Sequence, residues 1–188
     1  MDTKPWTGFR ARIYSVIWRS PKTNSLVVRL AGLSASDRVL DIGCGPGAAV
    51  RKAAAIVVDG EAAGVDRSEP MVDIARRRSR RFPNARFEVG SAESLPFADG
   101  SFTVVWTAHS FHHWEDRDAG LAEMLRVLAD GGRGLILETD GKKHGLTDSA
   151  SAAVVADMER LGFRDVAVEK VDKQVIISGV CGSPNLST

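Results

Sequence analysis

Residues Val39 to Gly47 read V-L-D-I-G-C-G-P-G, and this stretch constrains the fold more than any other in the chain. Val39, Leu40 and Ile42 suit a strand covered on both faces. Gly43, Gly45 and Gly47 alternate with Cys44 and Pro46. Glycine lets a backbone turn sharply and lets a ligand approach where a Cβ would collide. The run from Ala48 to Ile56 then carries Ala, Val and Ile on a predicted helix, whose first amides face that ligand. A buried strand, a glycine turn and a helix in this order predict a nucleotide-sized site at one edge of an α/β sheet.

The rest of the chain alternates strand and helix signals, as a parallel α/β sheet requires. Strands are predicted near Val39–Ile42, Ala62–Val65, Arg86–Val89, Phe102–Trp106, Gly134–Glu138, Val166–Val171 and Val175–Val180. Helices fit near Ala48–Val58, Glu69–Arg81, Arg117–Leu128 and Asp148–Leu161. Only Asp172 and Lys173 separate the last two strands, so these form an antiparallel hairpin. Residues 1–33 precede the first strand as a helical cap segment, and residues 34–182 form one ligand-binding domain. In the cap, Ile13, Val16 and Ile17 share a face, and Tyr14 and Trp18 stand beside them at i, i+4 spacing. Pro21 breaks that helix, and a second helix from Ser25 to Ala31 ends at Gly32.

Composition narrows the function classes. Apolar residues make up 44% of 188 and charged residues 26%, an ordinary globular balance. A net charge of +1 supplies no global field toward nucleic acid or an anionic membrane. Two cysteines, Cys44 and Cys181, make neither a disulfide scaffold nor a multi-thiol metal site, so no metal is expected. The opening M-D-T-K-P-W has no apolar signal core, and no run approaches the ~18–20 apolar residues of a membrane span, so a reducing cytoplasm is the expected location.

The order G-C-G-P-G after Asp41 separates two families that share the strand–turn–helix device. Dinucleotide enzymes use G-x-G-x-x-G, and Ala48 stands here where the third glycine or its alanine substitute would fall. The stretch with its acidic residue resembles motif I of class I S-adenosylmethionine (SAM) dependent methyltransferases. Gly90 to Val105, G-S-A-E-S-L-P-F-A-D-G-S-F-T-V-V, closely resembles a run of the ubiquinone/menaquinone biosynthesis methyltransferases. A-H-S-F-H-H-W-E-D, from Ala108 to Asp116, and L-R-V-L-A-D-G-G-R-G-L-I-L-E, from Leu125 to Glu138, resemble two further segments of the same family in the same order. The resemblance implies a Rossmann-like three-layer α/β sandwich, with a seven-stranded, mostly parallel sheet and one antiparallel strand.

It also implies site residues. Gly43, Cys44, Gly45 and Gly47 would hold the methionine part of SAM, with Asp41 supporting the turn. Asp66 would accept the ribose hydroxyls, Arg67 would face the adenine, and Ser91, Ala92 and Glu93 would meet its edge. Thr107 and Ala108 would line the floor beneath the methyl group. His109 is the first candidate base, since it follows the fourth strand at the ligand edge; Glu138 and Asp140 are rivals. Tyr14, Trp18 and His113 are candidate substrate contacts. His112 and His113 look like a zinc pair but lack a third ligand at suitable spacing.

Two departures stand out. Ser91 replaces the family's adenine-binding Asp, which predicts weaker SAM affinity, and Asp130 replaces a turn proline. Only Thr139–Thr147 fills the place of the substrate lid found in larger relatives. A thin lid is compatible with a homodimer that covers its own sites, although the sequence leaves oligomeric state open. Arg76, Arg77, Arg78, Arg80 and Arg81 cluster at a helix end without interleaved aromatics, so a solvated helix end is expected there in preference to an RNA surface. The expected function is methyl transfer from SAM to a small-molecule O, N or activated C nucleophile. Non-catalytic SAM binding, RNA methylation and NAD-dependent oxidoreduction stand as rivals.

Overall fold

The strand at Val39 runs from Arg38 to Ile42 (β1) and is buried from its second residue on. The computed structural model describes residues 21–141 and 145–182, which fall into two compact units divided between Ser91 and Ala92. Tyr14, Trp18 and the helix predicted around them lie outside the described residues. Among the described residues no helix is long and apolar enough to cross a membrane.

In the first unit, helix α1 (Pro21–Leu30) precedes β1, followed by α2 (Ala48–Ala54), β2 (Glu61–Asp66), α3 (Glu69–Arg78) and β3 (Ala85–Val89). The strands are parallel in the order β3-β2-β1, with Asp41 beside Gly64 and Asp66 beside Val89. Parallel neighbours need crossovers, which α2 and α3 supply. Val39, Leu40, Val50, Ala53, Ala62 and Val72 are fully buried between these layers. Helix α1 starts at Pro21, four residues before the expected Ser25, because proline is well tolerated in a first turn whose N–H groups lack partners. It buries Leu26 and Val27 and packs on α2, and Gly32 ends it at φ +54°.

Helix α2 stops at Ala54, four residues short of the expected Val58. Ile56, Val57 and Val58 are β-branched and lose rotamer freedom in a helix. The Asn84 side chain supplies a second reason, donating to the carbonyls of Ala54 at 3.0 Å and Val57 at 2.9 Å. Helix α3 ends at Arg78, and Arg76 folds back to donate twice to the Phe87 carbonyl. Arg77, Arg78, Arg80 and Arg81 are exposed, as expected of a solvated helix end.

The second unit holds β4 (Phe102–Ala108), a 3₁₀ turn at Phe111–His113, α4 (Arg117–Val127), β5 (Leu128–Asp140) and β6 (Gly145–Leu146). It continues with α5 (Asp148–Leu161), β7 (Phe163–Val171) and β8 (Gln174–Cys181). The strand order is β4-β5-β8-β7, with the two-residue β6 beside β5. Strand β8 runs antiparallel to both neighbours, while β4, β5 and β6 are parallel. Asp172 (φ +50°) and Lys173 (φ +63°) turn β7 into β8, and two positive φ angles are what a tight hairpin turn of this length uses.

Strand β5 begins six residues before the expected Gly134, because Leu128 pairs with Phe102 ahead of an irregularity that includes Gly131 at φ +71°. The segment read as a turn at Asp130 is therefore a bulge within a longer strand. The loop Leu95–Asp99 is pinned by α4: Arg126 donates to the carbonyls of Phe97 and Leu95, and Glu123 accepts the Leu95 N–H at 2.7 Å. Part of the L-P-F-A-D run thus serves the fold. Helix α5 keeps its predicted bounds, capped by Thr147 and ended by Gly162 at φ +116°.

Candidate active site

In the first unit, the glycine turn is built on β2. The N–H groups of Gly43 and Cys44 both donate to the Val65 carbonyl, at 2.8 and 3.0 Å. One residue on, the Gly45 N–H donates to Asp66 Oδ2 at 2.8 Å, while Ser68 N–H donates to Oδ1 at 2.9 Å. Asp66 thereby joins two motifs 21 residues apart. Burial raises its pKa from the usual 3.8, opposed by the bonds from Ser68 and Gly45 and by the Arg67 charge.

The glycines do different jobs. Gly45 has φ +51°, and a Cβ placed there would meet nothing within 4 Å, so its surface is open to a ligand. Gly47 has φ +74°, and its Cβ would stand 2.7 Å from the Phe87 ring, so it is required for packing. Cys44 turns its thiol inward against Gly64, where an added Cβ would stand 2.8 Å from Sγ. Burial, reinforced by Asp66 and Asp41, pushes that thiol well above its usual pKa, while the Cys44 backbone is held within the turn, its carbonyl accepting the Gly47 N–H at 3.0 Å. Asp41 is buried, Ser91 is half-buried and Arg67 is exposed.

In the second unit, chemistry gathers at the ends of β4 and β5. His109 follows β4 in the left-handed region, at φ +54°, which an L-residue adopts only when its surroundings enforce it. Its N–H donates to the Leu137 carbonyl at 2.9 Å, which anchors the strained residue to β5. Glu138 on β5 is completely buried. Its Oε1 accepts the His112 backbone N–H at 3.2 Å, and His112 Nδ1 lies 3.1 Å from both carboxylate oxygens. His109 Nδ1 is 3.9 Å from Glu138 Oε2 and 3.4 Å from Thr139 Oγ1. Burial holds the His109 pKa below 6.5; Glu138 pulls it up, His112 pushes it down, and Gln174 raises it.

The structure brings together His109 and Glu138, which the sequence offered as rival bases, and sets His112, to which the sequence assigned no role, against the same carboxylate. The adjacent histidine pair was visible, but which ring turns inward depends on the 3₁₀ turn. His112 faces Glu138, while His113 is exposed and its ring lies tilted by 45° against that of His112, centroids 3.9 Å apart. Asp140 points elsewhere, paired with Lys170 at 3.0 Å. Glu93 accepts the Glu115 N–H at 2.8 Å, which ties down the segment before α4. Ala92 and Thr107 are buried and Ala108 half-buried. Thr107 Oγ1 is a buried polar atom with no hydrogen-bond partner among the described residues.

Residues 39–132, half of the chain, match the family described as methyltransferase domain. The chain is similar to 27-O-demethylrifamycin SV methyltransferase of Amycolatopsis mediterranei, 42% identical over 59% of this chain and 43% of that protein. It is also similar to demethylmenaquinone methyltransferase of Thermus thermophilus, 38% identical over 59% of this chain and 51% of that protein. The chain thus spans about half the length of these curated relatives. Among solved structures, a SAM-dependent methyltransferase from Aquifex aeolicus superposes with a TM-score of 0.77 at 20% identity, covering 94% of this chain and 99% of that one. The chain therefore belongs to the methyltransferase domain family and has the Rossmann-like α/β fold of class I SAM-dependent methyltransferases.

Proposed function

We propose that this chain transfers a methyl group from SAM to a small molecule, at an oxygen, nitrogen or activated carbon nucleophile. The observation that carries the reading is the join between Gly45 and Asp66: a glycine with open space beside it, held by a carboxylate at the end of the neighbouring strand. Each Asp66 oxygen accepts one backbone N–H. An ionised carboxylate has about four acceptor positions, so two ribose hydroxyls can still be accommodated. The residues present therefore fit the nucleoside of SAM. Gly43, Gly45 and the backbone of Cys44 would hold its methionine part, with Asp41 beneath the turn. Arg67 would lie against the adenine, and Ser91, with a neutral hydroxyl, would hold the adenine edge less strongly than a carboxylate.

Bound SAM supplies a methyl group on a positively charged sulfur, which an incoming electron pair displaces. Orientation of the acceptor is then the main contribution asked of the protein, and can be worth ~7–11 kcal/mol. His109, neutral at physiological pH because burial depresses its pKa, is suited to take a proton from the acceptor. The rifamycin and menaquinone relatives carry names of small-molecule methylation, which favours that class of acceptor here.

Incubating the protein with SAM carrying a radiolabelled methyl group, together with separated small-molecule and RNA fractions of a cell extract, tests the reading. Label entering the small-molecule fraction alone supports it. Label in RNA, or SAM binding without any transfer, would replace it with one of its rivals.

A further inference from the structure

Two carboxylates from distant segments hold the bridge that joins β4 to α4. At its front, Glu138 accepts the His112 backbone N–H at 3.2 Å. At its rear, Glu93 Oε1 accepts the Glu115 N–H at 2.8 Å, with the Asp116 N–H a longer contact at 3.5 Å. Between the two the bridge is packed. Phe111 is fully buried, and its ring centroid lies 4.9 Å from that of Trp114. Trp114 lies on Gly120 of α4, where an added Cβ would stand 2.4 Å from the ring. A closely packed segment of this kind passes strain at one end to the other.

Glu93 itself stands on a stiff base. Two residues on, the Leu95 N–H donates to Glu123 at 2.7 Å, and Arg126 donates to the carbonyls of Leu95 and Phe97. Helix α4 does not need Glu93 as its cap, because Asp116 already accepts the Ala119 N–H at 3.0 Å. Glu115 lies outside that helix, so the N–H it gives to Glu93 belongs to the bridge. A carboxylate oxygen has two lone pairs, and Oε1 of Glu93 directs both at the bridge. Resting on the methyl-transfer reading, we propose that Glu93 is a positioning residue: its carboxylate clasps the bridge and not the adenine, so that an adenine seated at Ala92 and Glu93 steadies the segment bearing His109 and His112. Such coupling is reciprocal, since a steadier bridge must tighten ligand binding by the factor that the ligand steadies the bridge.

Backbone hydrogen exchange, read by NMR with and without S-adenosylhomocysteine, tests the clasp. In the wild type the ligand should slow exchange at His112, Glu115 and Asp116 about tenfold. In Glu93→Ala that slowing should vanish, and reciprocity limits the accompanying loss of affinity to the same factor of about ten. Glu93→Gln, whose amide oxygen can still accept both N–H groups, should restore the slowing. Asp116→Ala removes only the α4 cap, so it should lower the melting temperature and leave the ligand's effect on His112 unchanged.

Slowing that persists in Glu93→Ala, or that Asp116→Ala also abolishes, overturns the proposal. So does a loss of affinity in Glu93→Ala beyond that factor, because the carboxylate then contacts the adenine itself. Calorimetry on the wild type keeps the two readings apart. If S-adenosylhomocysteine does not bind, the methyl-transfer reading falls, whereas binding that slows none of the three amides sinks the clasp alone.

Discussion

Asp66 Oδ2 accepts the backbone N–H of Gly45 at 2.8 Å, and this bond joins the end of one parallel strand to the glycine turn that follows its neighbour. The carboxylate is half-buried and accepts a backbone N–H on each oxygen, so it holds the turn in a defined shape. Prior organisation of this kind lowers the cost of binding.

Gly45→Ala and Gly47→Ala should therefore fail in opposite ways. At Gly45 a Cβ has open space, so the fold should lose only about 1–2 kcal/mol for the left-handed backbone, while affinity for S-adenosylhomocysteine falls at least tenfold. At Gly47 the Cβ meets the Phe87 ring, and overpacking adds a further ~1–3 kcal/mol. Thermal unfolding and calorimetry on the two variants check the contrast; equal destabilisation would contradict it.

Stability should depend on pH through His109. Its folded pKa lies below the ordinary 6.5, so the unfolded chain binds more protons in the window beneath that value. Stability is then complete above 6.5 and is lost as pH falls through the window. Denaturant unfolding at several pH values should show a shallower acid-side loss in His109→Gln than in the wild type. An unchanged slope would mean that burial does not suppress the His109 charge.

The Cys44 thiol should be unreactive. Burial and two nearby carboxylates raise its pKa well above 9.0, and burial raises that of Cys181 as well. A thiol-specific reagent at about pH 8 should modify neither cysteine until the protein is unfolded. Gly64→Ala, which would press on Cys44 Sγ, should lower stability by about 1–3 kcal/mol. Rapid modification of folded wild-type protein would show the thiol to be accessible.

Asn84 caps two carbonyls of the segment that ends α2. Asn84→Ala should cost about 1–3 kcal/mol in chemical denaturation, since both acceptors lose a donor. A change below the measurement error would show that solvent replaces the amide without loss.

Local chemistry explains what the sequence made legible. The Asp172–Lys173 hairpin, the single reversed strand and the full span of α5 follow from turn length, a Thr cap and a Gly stop. Asp66 was legible as a residue at the same sheet edge as the glycine turn because strand ends collect there, whereas its bond to the Gly45 N–H came from the structure. What escaped depends on distant contacts. Asn84 shortens α2 from 27 to 30 residues away, and Leu128 joins β5 only because Phe102 lies beside it. His112 was indistinguishable from His113 until the 3₁₀ turn aimed one ring at Glu138, 26 residues on. The same turn of reasoning separates Gly45 from Gly47, which look alike in the motif and differ in what their missing side chains would touch.

The most direct test of the central claim is calorimetric titration of the purified protein with SAM, S-adenosylhomocysteine and NADH in parallel, repeated on Asp66→Ala. The account predicts that both sulfur ligands bind, that NADH does not, and that the Asp66 variant loses the binding while remaining folded. Binding of NADH alone, or sulfur-ligand binding that survives the loss of Asp66, would contradict it.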